Sequence, residues 1–166
     1  MSLREYRYVG SKEIAQQASA PIERLQPASA SDLVPWFEAR RVHDATFTFV
    51  VDLGGALWVS DRNAEHVACA RGRPVLAAGE IELRLHGSAV EVISVTNQST
   101  GYCPEPACWP AVAAALLRIG IVAPSGFTHS FLFRRCTKCQ TTNILKPEFP
   151  ECPVCGDQLP AAWNLE

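Results

Sequence analysis

The stretch CTKCQTTNILKPEFPECPVCG, residues 136 to 156, carries four cysteines as two CxxC pairs. Cys136 and Cys139 form the first pair and Cys152 and Cys155 the second, with twelve residues between them. A spacing of i and i+3 lets two thiolates of one tight turn face a single ion. Two such turns complete a tetrahedron, the geometry Zn2+ takes with four sulphurs. Gly156 follows the second pair and can adopt the positive φ such a turn needs. Pro147 and Pro150 punctuate the joining segment, as in the hairpin of a ribbon. Two disulfides would use the same four residues, but they need an oxidising compartment that nothing else in the chain marks. A redox-active CxxC is the other chemistry open to each pair, although two pairs in register argue for metal. The expectation is one structural Zn2+ on Cys136, Cys139, Cys152 and Cys155. With all four ligands thiolates, no coordination position is left for water or substrate.

A second group of polar residues gathers in NAEHVACARGRPVLAAGEI and VTNQSTGYCPEP. His66, Glu80 and Tyr102 are the candidate acid, base or substrate-positioning groups, and Asn97 and Ser99 the candidate ligand-binding ones. Glu80 enters an otherwise apolar run directly after Gly79. A turn whose Asn and Ser bond their own backbone has the same composition, so a purely architectural role stands beside the chemical one. Cys103 and Cys108, in YCPEPAC, offer half of a second metal site, with His66 or His129 as partners. Buried idle thiols are the plainer alternative.

These residues need elements to hold them. LVPWFEARRVH reads as a short helix with Pro35 in its first turn. ATFTFVVDLGGALWVS reads as two strands around Gly54–Gly55. PVLAAGEIELRLHGSAVEVISVTNQS reads as a second hairpin turning at Gly87–Ser88, with Ile81, Leu83 and Leu85 on one face and Glu82, Arg84 and His86 on the other. That turn pairs residue 80 with 95 and 78 with 97, so Glu80 and Asn97 fall at one edge of the sheet. WPAVAAALLRIG is a helix with Pro110 in its first turn, Gly120 as its stop and Val112, Leu116 and Ile119 along one face. SFLFRRC is a strand feeding the ribbon. The expected fold is α+β: a small, mostly antiparallel sheet with a covering helix, plus a C-terminal four-cysteine zinc ribbon. Residues 1–30 form a polar, linker-like segment, 31–130 the sheet domain and 131–166 the ribbon.

Composition bounds the rest. The chain has 166 residues, is 48% hydrophobic and 19% charged, and carries a formal net charge of -2. That balance supports one ordinary core with a small appendage and gives no global pull toward nucleic acid or an acidic membrane. The charged N-terminus, MSLREYRYVGSKEIAQQ, lacks the apolar run of a signal peptide, and no window approaches the ~18 apolar residues of a membrane span. Reduced cysteines and these features imply a cytoplasmic protein. In the ribbon, Arg134, Arg135, Lys138 and Lys146 face Glu148, Glu151, Asp157 and Glu166. Four cations against four anions make no basic face for phosphates, so nucleic acid is not the expected partner. Phe149, Leu159 and Trp163 are expected to cover the ribbon's flank or dock it on the sheet domain.

HVACARGRPVLAAGEI followed by NQSTGYCP resembles a module, HSSFLAGxPVAxAGEI then NxSGHYxP then a helix, found in many bacterial proteins. A relative of it occurs in plant IQ-motif calmodulin-binding proteins. The resemblance spans residues 57 to 120. It carries over His66, Gly72, Pro74, Val75, Ala78, Gly79, Glu80 and Ile81 in the first block, and Asn97, Ser99, Tyr102 and Pro104 in the second. Val67 and Ala68 stand where the pattern has two serines, and Thr100–Gly101 where it has Gly-His. The resemblance implies a bacterial source and no particular reaction. The plant proteins' calmodulin link belongs to a separate IQ segment that this chain lacks.

Three functions follow. The first is a zinc-fastened module that binds a polar ligand or a protein partner. The second is an enzyme working through His66, Glu80 and Tyr102, for which no nucleophile elbow, phosphate loop or dinucleotide fingerprint names a reaction. The third is a zinc-ribbon protein that reads nucleic acid.

Overall fold

A computed structural model describes residues 2–166. Five antiparallel strands form the main sheet in the order β1-β3-β2-β4-β5: β1 (Arg24–Leu25), β2 (Asp44–Asp52), β3 (Leu57–Asp61), β4 (Val75–His86) and β5 (Ala89–Val95). Among the described residues four helices accompany it: α1 (Lys12–Ala15), α2 (Val34–Arg40), α3 (His66–Cys69) and α4 (Trp109–Arg118). A separate two-stranded sheet, β6 (Leu132–Arg135) with β7 (Thr142–Leu145), makes the ribbon. The architecture is α+β, as the sequence patterning requires.

The β2–β3 hairpin closes where Gly54–Gly55 predict it. Asp52 fixes the turn: its Oδ1 accepts the N–H groups of Gly54 and Ala56, both at 2.9 Å, and its Oδ2 accepts the Trp58 indole N–H at 2.9 Å. The β4–β5 hairpin turns at Gly87, φ 62. Its register follows the expected pairing only as far as Leu83↔Val92. An irregularity between Glu82 and Leu83 shifts it by one, so Ile81 faces Val95 and the Thr96 N–H reaches the Glu80 carbonyl at 2.9 Å. The bulge puts one extra residue into β5, so its inward positions step from Val92 to Val95 while those of β4 step from Leu83 to Ile81.

Both faces of β2 are covered. Phe47, Phe49 and Val51 point to one face, where Trp36 and Phe37 of α2 pack at 4.5 and 5.9 Å from the Phe47 ring. Helix α4 adds Val112 and Leu116, fully buried, each worth about 1.5–3 kcal/mol of transfer free energy. It ends at Gly120, φ 79, as the sequence predicts, and the Ile119 carbonyl accepts from Ala30, tying α4 to the turn that leads into α2. Thr48, Val50, Trp58 and Ser60 point to the other face, under α3, where the Cys69 thiol reaches the Trp58 carbonyl at 3.7 Å.

Residues 2–30 have the composition of a linker but are built into the domain. Tyr6 is buried and exchanges two backbone hydrogen bonds with Val75, at 2.8 and 2.9 Å, on the side of β4 opposite β2. This segment thus lies along β4 beyond the end of β5. The short β1 then pairs with β3 as the other sheet edge, with Arg24 stacked 3.9 Å over Trp58.

The ribbon does not hang free. The Asn164 side chain pairs with both backbone groups of Arg135, each at 2.8 Å. Trp163 donates its indole N–H to the Cys103 carbonyl at 2.8 Å and meets Tyr6 edge to face at 5.7 Å. Leu165 is buried with Phe133 and Cys103. Leu159 packs against Cys136 and Cys152 as expected, whereas Phe149 is 70% exposed and covers nothing.

Candidate metal centre and polar cluster

The four ribbon cysteines converge. All four sulphurs lie within 4.8 Å of one another, with Cys136–Cys155 at 3.5 Å and Cys139–Cys152 at 3.6 Å. Metal–sulphur bonds of about 2.3 Å at tetrahedral angles put sulphurs about 3.8 Å apart, so the set fits one four-coordinate ion. Each pair sits on a matching turn. The Gln140 N–H donates to the Cys136 carbonyl at 2.9 Å, and the Gly156 N–H to the Cys152 carbonyl at 2.8 Å. Both residues, four after the first cysteine of their pair, are left-handed: Gln140 at φ 65 and Gly156 at φ 78. Sequence predicts this for the glycine and gives no hint of it for Gln140. Thr141 Oγ1 lies 3.0 Å from Cys139 Sγ, and the Asn143 amide points at Cys152 Sγ from 3.6 Å. Such outer contacts orient thiolates and offset their charge. These two residues were not singled out by cysteine spacing; TTN directly after CTKC is the signal that carries them.

The polar cluster is built differently. His66 opens α3, and its Nε2 lies 2.8 Å from the Gly79 carbonyl. A carbonyl only accepts, so Nε2 carries the proton. Desolvation pushes the imidazole down to about 4, against the raising effect of that same bond, so the ring is neutral at pH 7. Tyr102 is buried and donates its hydroxyl to the Arg73 carbonyl at 2.8 Å; burial raises its pKa well above the ordinary phenol value. The buried Asn97 amide donates to the carbonyls of Pro104, 2.8 Å, and Phe131, 2.9 Å, and accepts the Phe131 N–H at 2.7 Å. Ser99 Oγ accepts the Tyr102 N–H at 3.2 Å. Glu80 pairs with Thr48 and is half-buried on that face, while Gly79 beneath the Thr96–Asn97 backbone points to the opposite one.

Backbone proximity of Glu80 and Asn97 is therefore realised, but their side chains leave the sheet on different sides. Among the described residues no hydrogen bond joins His66, Glu80 and Tyr102 to one another. Each of His66, Tyr102 and Asn97 instead ties one piece of backbone to another. Cys103 and Cys108 are buried thiols, each pushed up to about 12 by burial. The metal-ligand cluster that the described residues form is the four ribbon cysteines.

A cavity of about 300 Å³ opens elsewhere, between the β2–β3 turn and the Arg71–Pro74 loop, lined by Arg24, Asp52, Trp58 and Arg73 over Val50 and Val75. The sequence signal for it is the pair of arginines in ARGRP together with a tryptophan on an outward position of β3.

No family model matches this chain, and comparison with curated proteins and with solved structures finds no match.

Proposed function

We propose that this chain is a zinc-containing binding protein in which the metal fastens the ribbon and the α+β domain receives a polar ligand. The convergence of four cysteine sulphurs within 4.8 Å carries the reading. A four-thiolate set is the chemistry of structural Zn2+, and it leaves no open position for substrate. Three further thiols, Cys69, Cys103 and Cys108, are unpaired and buried, which suits a reducing compartment such as a bacterial cytoplasm. Among the described residues no helix is long and apolar enough to cross a membrane.

The ribbon's surface argues against nucleic acid. Arg134, one of its four cations, is only 5% exposed and commits its guanidinium to the carbonyls of Phe133, Pro160 and Ala161. The residues shared with the bacterial module serve packing in this chain: Gly79 admits the Thr96–Asn97 crossing, and Asn97, Ser99 and Tyr102 hold the loop that follows. That leaves the domain's function to its cavities.

Elemental analysis of protein purified without chelator tests the reading. One zinc per chain is expected, and protein without zinc overturns it.

A further inference from the structure

The geometry points to the cavity between the β2–β3 turn and the Arg71–Pro74 loop as a binding site for a small organic anion with a single anionic head, its carboxylate or phosphate held by Arg24 and Arg73 and its apolar body against Val50, Val75 and Trp58. The inference rests on the reading of the α+β domain as a binding module and names the site and ligand class.

Charge is the first argument. The chain as a whole is net negative, yet this cavity gathers two arginines against one carboxylate, with Arg71 adjacent. Asp52 accepts from Gly54, Ala56 and the Trp58 indole and makes no ion pair with either arginine, acting on Arg24 only through space. The ion pairs of the described residues use Arg4, Arg40, Arg84 and His86, and none uses Arg24, Arg71 or Arg73. Gathered like charges repel, and an anion relieves that repulsion. Burial first, and then Arg71 and Arg73, hold the Arg24 guanidinium below its usual pKa.

Preorganisation is the second. Arg24 is locked by its stack on Trp58, at 3.9 Å, and by Nη1 donating to the Cys69 carbonyl at 2.7 Å. Its remaining N–H groups have no protein partner among the described residues. Trp58 is itself held by Asp52. A rigid planar donor beside a fixed indole loses little entropy when an anion docks. Arg73 is the exposed partner: its side chain has no hydrogen bond among the described residues, while its carbonyl is pinned by Tyr102.

Size and lining are the third. About 300 Å³ is at the small end of ligand pockets and fits a body of about ten non-hydrogen atoms. Val50 and Val75 make its floor apolar, and Asp52 in the wall disfavours a ligand with a second anionic group.

The test uses zinc-loaded, 15N-labelled full chain, titrated separately with benzoate, phenyl phosphate and the neutral benzyl alcohol. The Trp58 indole and the Gly54 and Arg73 amides are followed by NMR. The inference expects saturable shifts with at least one anion at a dissociation constant below about 1 mM, with benzyl alcohol at least about tenfold weaker. The stronger anion identifies the head group. Arg24→Gln, and the exposed Arg73→Gln as the variant that leaves the fold untouched, should each weaken binding about tenfold. Absence of saturable shifts up to about 10 mM of either anion overturns the inference. So does binding that Arg73→Gln leaves unchanged. Zinc content measured on the same sample separates the outcomes: zinc-free protein defeats the fastening role, whereas a silent Trp58 in zinc-loaded protein defeats the site alone.

Discussion

Gly79 lies directly under the Thr96 carbonyl: a Cβ placed on it would run into that oxygen and onto the Asn97 Cα. The obstacle is backbone on both counts, so no side chain can swing aside. Gly79→Ala should therefore cost about 3 kcal/mol or more in urea unfolding, beyond ordinary overpacking. Gly87→Ala, where a Cβ meets nothing within 4 Å, should cost only the strain of its left-handed φ, about 1 kcal/mol.

Tyr102→Phe and Glu80→Gln should part company. The Tyr102 hydroxyl is the partner of the Arg73 carbonyl, and its loss leaves that acceptor unpaired at a cost of about 1 kcal/mol. The Glu80 side chain makes no hydrogen bond among the described residues, so Glu80→Gln should stay within about 0.5 kcal/mol of the parent. Equal losses in both variants would contradict this division of roles.

His66 makes stability fall in acid. Its folded pKa, about 4, lies below the ordinary value of 6.5, so the unfolded chain binds the extra proton first. The stabilisation is fully present above pH 6.5 and is lost as pH drops from there toward 4. The ring is partly exposed, which reduces the effect to about 1 kcal/mol between pH 7 and pH 5. His66→Gln keeps a donor for Gly79 and should remove that part of the pH dependence. Urea midpoints of both proteins at the two pH values measure it.

Cys152→Ser should release the ribbon and spare the sheet. The sulphurs and Leu159 form a small cluster of their own, separate from the core around Phe47 and Val112. Structural zinc can contribute ~10 kcal/mol of apparent binding free energy to a domain this small. Amides of β6, β7 and residues 151–159 should lose hydrogen-exchange protection while those of β2 and β4 retain it. Global unfolding would show that the Asn164 and Leu165 clasp makes one cooperative unit.

Strands, hairpin turns and the two longer helices could be read from periodicity, because Gly54–Gly55, Gly87–Ser88, Pro110 and Gly120 punctuate strongly patterned runs. The cysteine set could be read because ligand spacing is local. What escaped reading depends on distant partners. Tyr6 looks like one residue of a polar leader until Val75 is placed beside it, and Asn164 like a tail residue until Arg135 is. The one-residue shift at Glu82/Leu83 shows in sequence only as the step from Val92 to Val95, which a strict alternation passes over. Alternation is also silent on the face that sends the Glu80 carboxylate away from Asn97: it says that Gly79 and Glu80 differ, but not which of them lies under the crossing chain. The arginine-lined cavity joins residues 24, 52, 58 and 73, and no short window contains them.

The edge-to-face contact of Tyr6 with Trp163 encloses nearly the whole sequence in one loop. The entropy of closing such a loop rises only with the logarithm of its length, but the contact cannot form until β4 and the ribbon are both in place. Pairings this distant slow a folding reaction. The local hairpins β2–β3 and β4–β5 are therefore expected to form first and the joining of the first and last segments late. By the same token that seam should be the first to part when the chain is heated or pulled from its ends.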